Sequence, residues 1–276
     1  MSRSWADTSC AVLCPDQLQV IRPGKRWRRS AAFSFAETFA SDADGPPWQA
    51  AVDAFQRFLA TAETGTGALD VVLSNHFVRY LLVPWSAQIA SAEEFRNCAA
   101  AMFEDIHGDV SAQWDVTVSA ERAGAPRLAA AVDRSLLAAI RSAVAPTRLR
   151  LLSVQPYLMA AYNRVARART GSDFVFVLLE AGRACILAAQ GGKWCHVSTA
   201  AAPEPAQALA SLLARELQLA DLPGDSVPPL YVHAPHRRGL VLPPVHGAAP
   251  LVLEARPLPT LAQARGAACE LAASLA

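Results

Sequence analysis

The chain has 276 residues, 53% of them hydrophobic and 18% charged, with a net charge of +1 at pH 7. That length and apolar content are those of a folded protein, able to bury a core as one large domain or as two modest lobes. The near-neutral balance argues against nucleic acid as the main partner, because binding phosphate needs a concentrated basic surface.

The first predicted element is a hairpin in "CAVLCPDQLQVIRPG": an apolar strand to Leu13, a turn at Pro15-Asp16, and an alternating strand from Gln17 to Ile21. Beyond it, Arg22, Lys25, Arg26, Arg28 and Arg29 crowd around Trp27. This is a solvated turn or a site for an anionic partner, with Arg26 and Arg28 as candidate contacts. "AAFSFAE" supplies a third strand, and Trp48, Val52, Phe55, Phe58 and Leu59 fall at helical spacing. "ALDVVLSNHFVRYLLVPW" reads as two strands broken at Ser74-Asn75 and ended by Pro84.

Ser91 and Glu94 have capping-box spacing and open a helix over 92–106 that Gly108 closes. "QWDVTVSA" is a strand. "RLAAAVDRSLLAAIRSAVA" is predicted as one long helix, with Leu128, Val132, Leu136 and Ile140 on its apolar stripe. A strand "RLRLLSVQP" and a helix "YLMAAYNRVARAR" follow, and "TGSD" at 170–173 marks the internal boundary. The second block repeats the first: strands over 174–198, a helix from "PAQALASLLARELQLA", a strand "PLYVHAP", a proline-rich connection, a strand "PLVLEARP" and a C-terminal helix "TLAQARGAACELAASLA". Two hairpin-opened sheet-then-helix blocks predict two similar α/β lobes of ribonuclease H-like type.

Catalytic constellations are missing from this pattern. Cys10, Cys14, Cys98, Cys185, Cys195 and Cys269 include no C-x-x-C pair and read as reduced core residues. His233, His236 and His246 lie in a proline-stiffened loop, which makes no metal-binding helix. Cys195 and His196 are strand neighbours and point to opposite faces. Ser74 and Ser153 sit in no nucleophile elbow, and "GTG" at 65–67 and "GG" at 191–192 are turns. The sequence opens without the apolar run of a signal peptide and holds no run long enough to span a bilayer, so a cytoplasmic protein is expected.

The succession from Val72 to Ala200 resembles the actin-like cytoplasmic proteins of bacterial envelope machines, namely the PilM protein of type IV pilus assembly and the cytoplasmic domain of the type II secretion L protein. The matching run is "SNHFVRYLLVPW", "SAEEFRNCAAAMFEDIHG", "QWDVTVSA", "LRLLSVQPYLMAAYNR" and "FVFVLLEAGRACILAAQGGKWCHVS". The resemblance implies a two-lobed actin-like fold. Residues 1–171 would form the first lobe, with a small inserted subdomain at about 84–120, and residues 172–276 the second. It also implies a nucleotide cleft between the lobes, with ATP and magnesium held by two glycine turns and by carboxylates.

Each part of that cleft can be checked. Where the family has Asp-x-Gly in the first hairpin, this chain has Leu13-Cys14-Pro15, and proline has no N–H to offer a phosphate. In the second hairpin Glu180-Ala181-Gly182 stands in its place, so Glu180 and Gly182 are the cofactor-binding candidates of a degenerate phosphate hairpin. The glycine pair expected for the adenine is replaced by His233-Ala234-Pro235. The expectation is therefore a non-catalytic scaffold without cofactor; the alternative is a divergent ATP-binding protein or ATPase with Glu180 at the metal.

The resemblance further implies partners among inner-membrane pilus or secretion assembly proteins, and a place at the inner face of the inner membrane reached through them. It leaves a homodimer open. Phe77, Tyr80, Trp85, Phe95, Phe103 and Trp114 crowd the inserted region, and Trp85 and Trp114 are the candidate partner contacts there.

Overall fold

The computed structural model describes residues 8–22, 33–40, 45–61, 66–89, 91–165, 171–220, 228–237 and 239–253. The elements in chain order are β1 (Thr8–Leu13), β2 (Gln17–Arg22), β3 (Phe33–Thr38), α1 (Gln49–Leu59), β4 (Gly67–Leu73), β5 (Val78–Val83), α2 (Ala92–His107), β6 (Trp114–Val118), β7 (Arg127–Asp133), α3 (Arg134–Val144), β8 (Leu149–Pro156), α4 (Tyr157–Val165), β9 (Phe174–Glu180), β10 (Arg183–Gln190), β11 (Lys193–Ala201), α5 (Ala206–Leu219), β12 (Leu230–His233) and β13 (Leu251–Leu253). They fall into two compact units, one from the described parts of 8–77 and 134–164, the other from those of 78–133 and 171–253. Arg26, Arg28 and the predicted C-terminal helix over 260–276 lie outside the described residues.

The first unit is a five-stranded sheet in the order β3-β2-β1-β4-β8. The predicted hairpin pairs β1 with β2 antiparallel, and β1 pairs on its other edge with β4 in parallel. Strand alternation sends Phe33 and Phe35 of β3 toward α1, where they meet the Phe58 ring at centroid distances of 6.1 and 4.9 Å. Helices α1 and α3 pack together over the sheet. After β4, Ser74 and Asn75 are fully buried, and the Asn75 Oδ1 accepts the Leu158 amide in the first turn of α4 at 3.2 Å. A side chain from a distant turn thus satisfies a helix-end donor that has no intrahelical acceptor.

The second unit repeats that topology with β11-β10-β9-β12-β13. Val175, Val177 and Leu179 of β9 join Ile186 of β10 and Val232 of β12 against Leu209, Leu213 and Leu217 of α5. Alongside stands a three-stranded sheet, β5-β7-β6, covered by α2. The capping box forms as predicted: Ser91 Oγ accepts the Glu94 amide at 3.1 Å and Glu94 Oε2 accepts the Ser91 amide at 3.2 Å. The sequence reading gave an insertion at about 84–120; the small sheet runs over 78–133 and groups with the second unit.

One predicted element is corrected. The alanine-rich run expected as a single helix is strand β7 followed by α3. Alanine favours helix locally, but β7 is the central strand here, and as a helix it would leave β5 and β6 with no ladder partner. Its Ala129 and Ala131 are buried in the same cluster as Phe95 and Phe103 of α2.

Replacing Asn75 with alanine leaves the Leu158 amide buried and unsatisfied. Urea unfolding of Asn75→Ala is expected to show a loss of about 1–3 kcal/mol.

Candidate functional site

Two hairpin turns decide what this fold can hold, and each is considered within its own unit. In the first, Leu13 is fully buried, the Cys14 amide donates to the Gln17 carbonyl at 2.9 Å, and Pro15 has no amide proton. Asp16 is exposed, and its carbonyl accepts the Phe39 amide at 2.9 Å. At the same end of the sheet the Ser74 amide donates to the Leu13 carbonyl at 2.9 Å, and the Leu158 amide is taken by Asn75. These backbone donors are spent on the fold, and no carboxylate stands at position 13.

In the second unit β9 and β10 pair through Glu180 and Arg183, leaving Ala181 and Gly182 as the turn. Gly182 has φ of 70°, a conformation glycine adopts without the cost other residues incur. A Cβ built there would meet nothing within 4 Å, so the turn geometry and not a close neighbour requires the glycine. Its carbonyl accepts the Ala202 amide at 3.1 Å.

Glu180 is buried, at 5% exposure, on the sheet face opposite α5. It acts there on Tyr80 of β5 and Cys185 of β10. Burial holds both the hydroxyl and the thiol well above their usual range, aided by Cys185 and then Glu180 at Tyr80 and by Glu180 at Cys185, and the Arg183 guanidinium opposes both shifts. Glu180 is thus embedded among Tyr80, Cys185 and Arg183.

At the third expected element, β12 ends at His233 and Ala234 follows it, both buried. The chain then turns, the Arg237 amide donating to the Ala234 carbonyl at 3.0 Å. Arg237 reaches back to the Pro203 carbonyl at 2.8 Å, just ahead of α5. Alanine and proline side chains occupy the positions where paired glycines would open the backbone.

The partner-binding candidates separate. Trp114 belongs to the core of the small sheet, edge-on to Phe103 at 5.9 Å and to His107 at 5.0 Å. Trp85 is 42% exposed just beyond β5. The two are not brought into one cluster by any described contact. His196 faces α5, while Cys195 is exposed. Among the described residues no group of His, Cys, Asp and Glu is arranged to hold a metal, and no helix is long and apolar enough to cross a membrane.

One polar cluster escaped the sequence reading. Glu216 of α5 is buried and accepts from Ser198 Oγ and Arg215 Nη2, each at 2.7 Å, with His196 Nε2 at 3.9 Å. The signal lay in the helix pattern: Glu216 interrupts the apolar run of Leu209, Leu213 and Leu217. Burial would raise its carboxyl, but the Ser198 and Arg215 hydrogen bonds, the Arg215 charge and His196 together hold it below the usual carboxylate range. Burial lowers the His196 imidazole, and the Glu216 charge opposes that.

No protein-family model matches the sequence, and no curated protein matches it significantly. Solved structures do. The cytoplasmic domain of EpsL, an inner-membrane component of the type II secretion system of Vibrio cholerae, is similar at a TM-score of 0.56 and 13% identity, over 96% of this chain and 92% of that one. A PilM–PilN type IV pilus biogenesis complex gives a TM-score of 0.63 at 15% identity, over 90% and 88%. A Bacteroides thetaiotaomicron protein of unknown function with an actin-like ATPase fold gives 0.52 at 9%, over 84% and 82%. The fold is actin-like. The expected resemblance to PilM and to the secretion L protein holds at the level of structure.

Two outcomes follow from the turn and the cluster. Gly182→Ala places a side chain at positive φ and is expected to cost about 1–2 kcal/mol in urea unfolding, through conformation alone. Both His196 and Glu216 bind protons more weakly folded than unfolded, so each contributes stability that is lost on acidification, His196 below its usual value near 6.5 and Glu216 below its usual value near 4.5. Unfolding free energy measured against pH is expected to fall in both windows, and Glu216→Gln to flatten the lower one.

Proposed function

We propose that this protein is a non-catalytic actin-like scaffold at the inner face of the bacterial inner membrane, docking on membrane components of a type IV pilus or type II secretion-like apparatus. The observation that carries the reading is the first hairpin. Holding a nucleotide triphosphate takes backbone N–H groups aimed at phosphate and carboxylates aimed, through water, at its metal. Leu13 and Pro15 supply neither, and the amides of Ser74 and Leu158 are already bonded.

The remaining parts support the same reading. Glu180 is the one carboxylate retained at an expected position, and it sits among Tyr80, Cys185 and Arg183. Ala234 and Pro235 close the segment that would have received a base. The likeness to a PilM–PilN complex, and to the cytoplasmic domain of an inner-membrane secretion component, supports docking as the role of such a fold. The competing reading, an ATPase that uses Glu180 and Gly182, would have to replace the whole first phosphate turn.

A thermal-shift and calorimetric titration with Mg-ATP and Mg-ADP tests this. A ligand at about a hundred times its dissociation constant adds about 2.7 kcal/mol of stability. The expected outcome is no shift at millimolar nucleotide. A clear shift that Glu180→Ala abolishes would overturn the scaffold reading and favour the ATPase.

A further inference from the structure

The small sheet ends in an edge whose sequence is complementary to itself. β7 pairs with β5 on one side and β6 on the other, so the outer edge of β6 pairs with no strand among the described residues. The Ser119 amide donates to the Leu128 carbonyl at 2.8 Å, which sets the alternation along the ladder. The backbone groups of Thr117 and Asp115 point toward β7, and those of Val118 and Val116 and the Trp114 carbonyl point outward, while the Trp114 amide donates to the Ser111 carbonyl. The strand has no proline, lysine or bulge, and Asp115 is the one charged side chain along it.

We propose that this edge pairs with the same edge of a second copy, antiparallel and with Val116 on the two-fold axis, joining two small sheets into one. Three features of the strand choose a second copy as the occupant. In that register Trp114 lies opposite the partner's Val118, an aromatic beside a β-branched residue, which is a favourable cross-strand pair. Asp115 lies opposite the partner's Thr117, so no like charges meet. The outward groups of Val116 meet those of the partner's Val116, and the Val118 amide meets the partner's Trp114 carbonyl, as an isologous contact requires.

The flanks match as well. Antiparallel pairing runs the segment before β6 beside the partner's segment after it. The first carries exposed Asp109 and Val110, the latter at 53% exposure. The second carries exposed Arg122, which spends one donor on the Gly191 carbonyl at 3.4 Å. The neighbouring Glu121 is held by Trp194 Nε1 at 2.8 Å, so Arg122 is the charge this segment offers to the partner's Asp109 at each end of the joint.

Sedimentation velocity of the full chain from low to high micromolar tests the proposal, beside Val116→Pro. The Val116 amide faces away from β7, so proline there removes no bond of the existing ladder. The expected result is a wild-type mass that rises toward twice the monomer with concentration, and a Val116→Pro variant that stays monomeric with an unchanged circular dichroism spectrum. Should the variant misfold, hydrogen exchange of the wild type decides. The amides of Val116 and Val118 are then expected to slow as concentration rises, while those of Asp115 and Thr117 stay protected throughout. A wild type that remains monomeric, a dimer that survives Val116→Pro, or exchange at Val116 that ignores concentration would each overturn the pairing.

Discussion

Each unit depends on the central strand of its five-stranded sheet: β1 between β2 and β4, and β9 between β10 and β12. A strand in that position must be apolar on both faces, as "FVFVLL" of β9 is, and it must leave the sheet through a turn fixed by the antiparallel partner beside it. The turn is the only part of the element free to vary in chemistry. Actin-like nucleotide sites are made from such turns, so a few turn residues separate a phosphate cradle from a closed hairpin.

In this chain the turns are spent on the fold. Pro15 shortens the supply of donors at the first, and Asn75 consumes the donor at the head of α4. Gly182 is needed for its positive φ. Glu180 keeps a charge at a buried strand end, where such a charge requires compensation, and its cross-strand partner Arg183 is the basic residue beside it. What remains is an actin-like fold whose turn donors are bonded within the chain.

Much of this was legible in the sequence because hairpins and amphipathic helices leave short-range signals. The turn Pro15-Asp16 between alternating strands, the Ser91 and Glu94 box and the Ala181-Gly182 turn all specify structure within a few residues. β7 carried no such signal. Leu128, Val132, Leu136 and Ile140 have true helical spacing, and only the need of β5 and β6 for a central partner turns the first half into strand. The cluster at Glu216 was hidden for a similar reason: Ser198 and His196 reach it from β11, across a distance in sequence that no local pattern spans. Trp85 and Trp114 looked alike as aromatic residues near Pro84, and their difference in burial comes from α2, which covers Trp114.

The account rests on docking, and the measurement that tests it most directly is binding of the purified chain to cytoplasmic tails of inner-membrane pilus and secretion assembly proteins from the same cell. Fluorescence anisotropy with labelled tail peptides, in the presence and absence of Mg-ATP, reads it. The account predicts saturable binding of at least one tail, with an affinity that nucleotide leaves unchanged. Failure of every tail to bind, alongside an affinity for Mg-ATP, would contradict it.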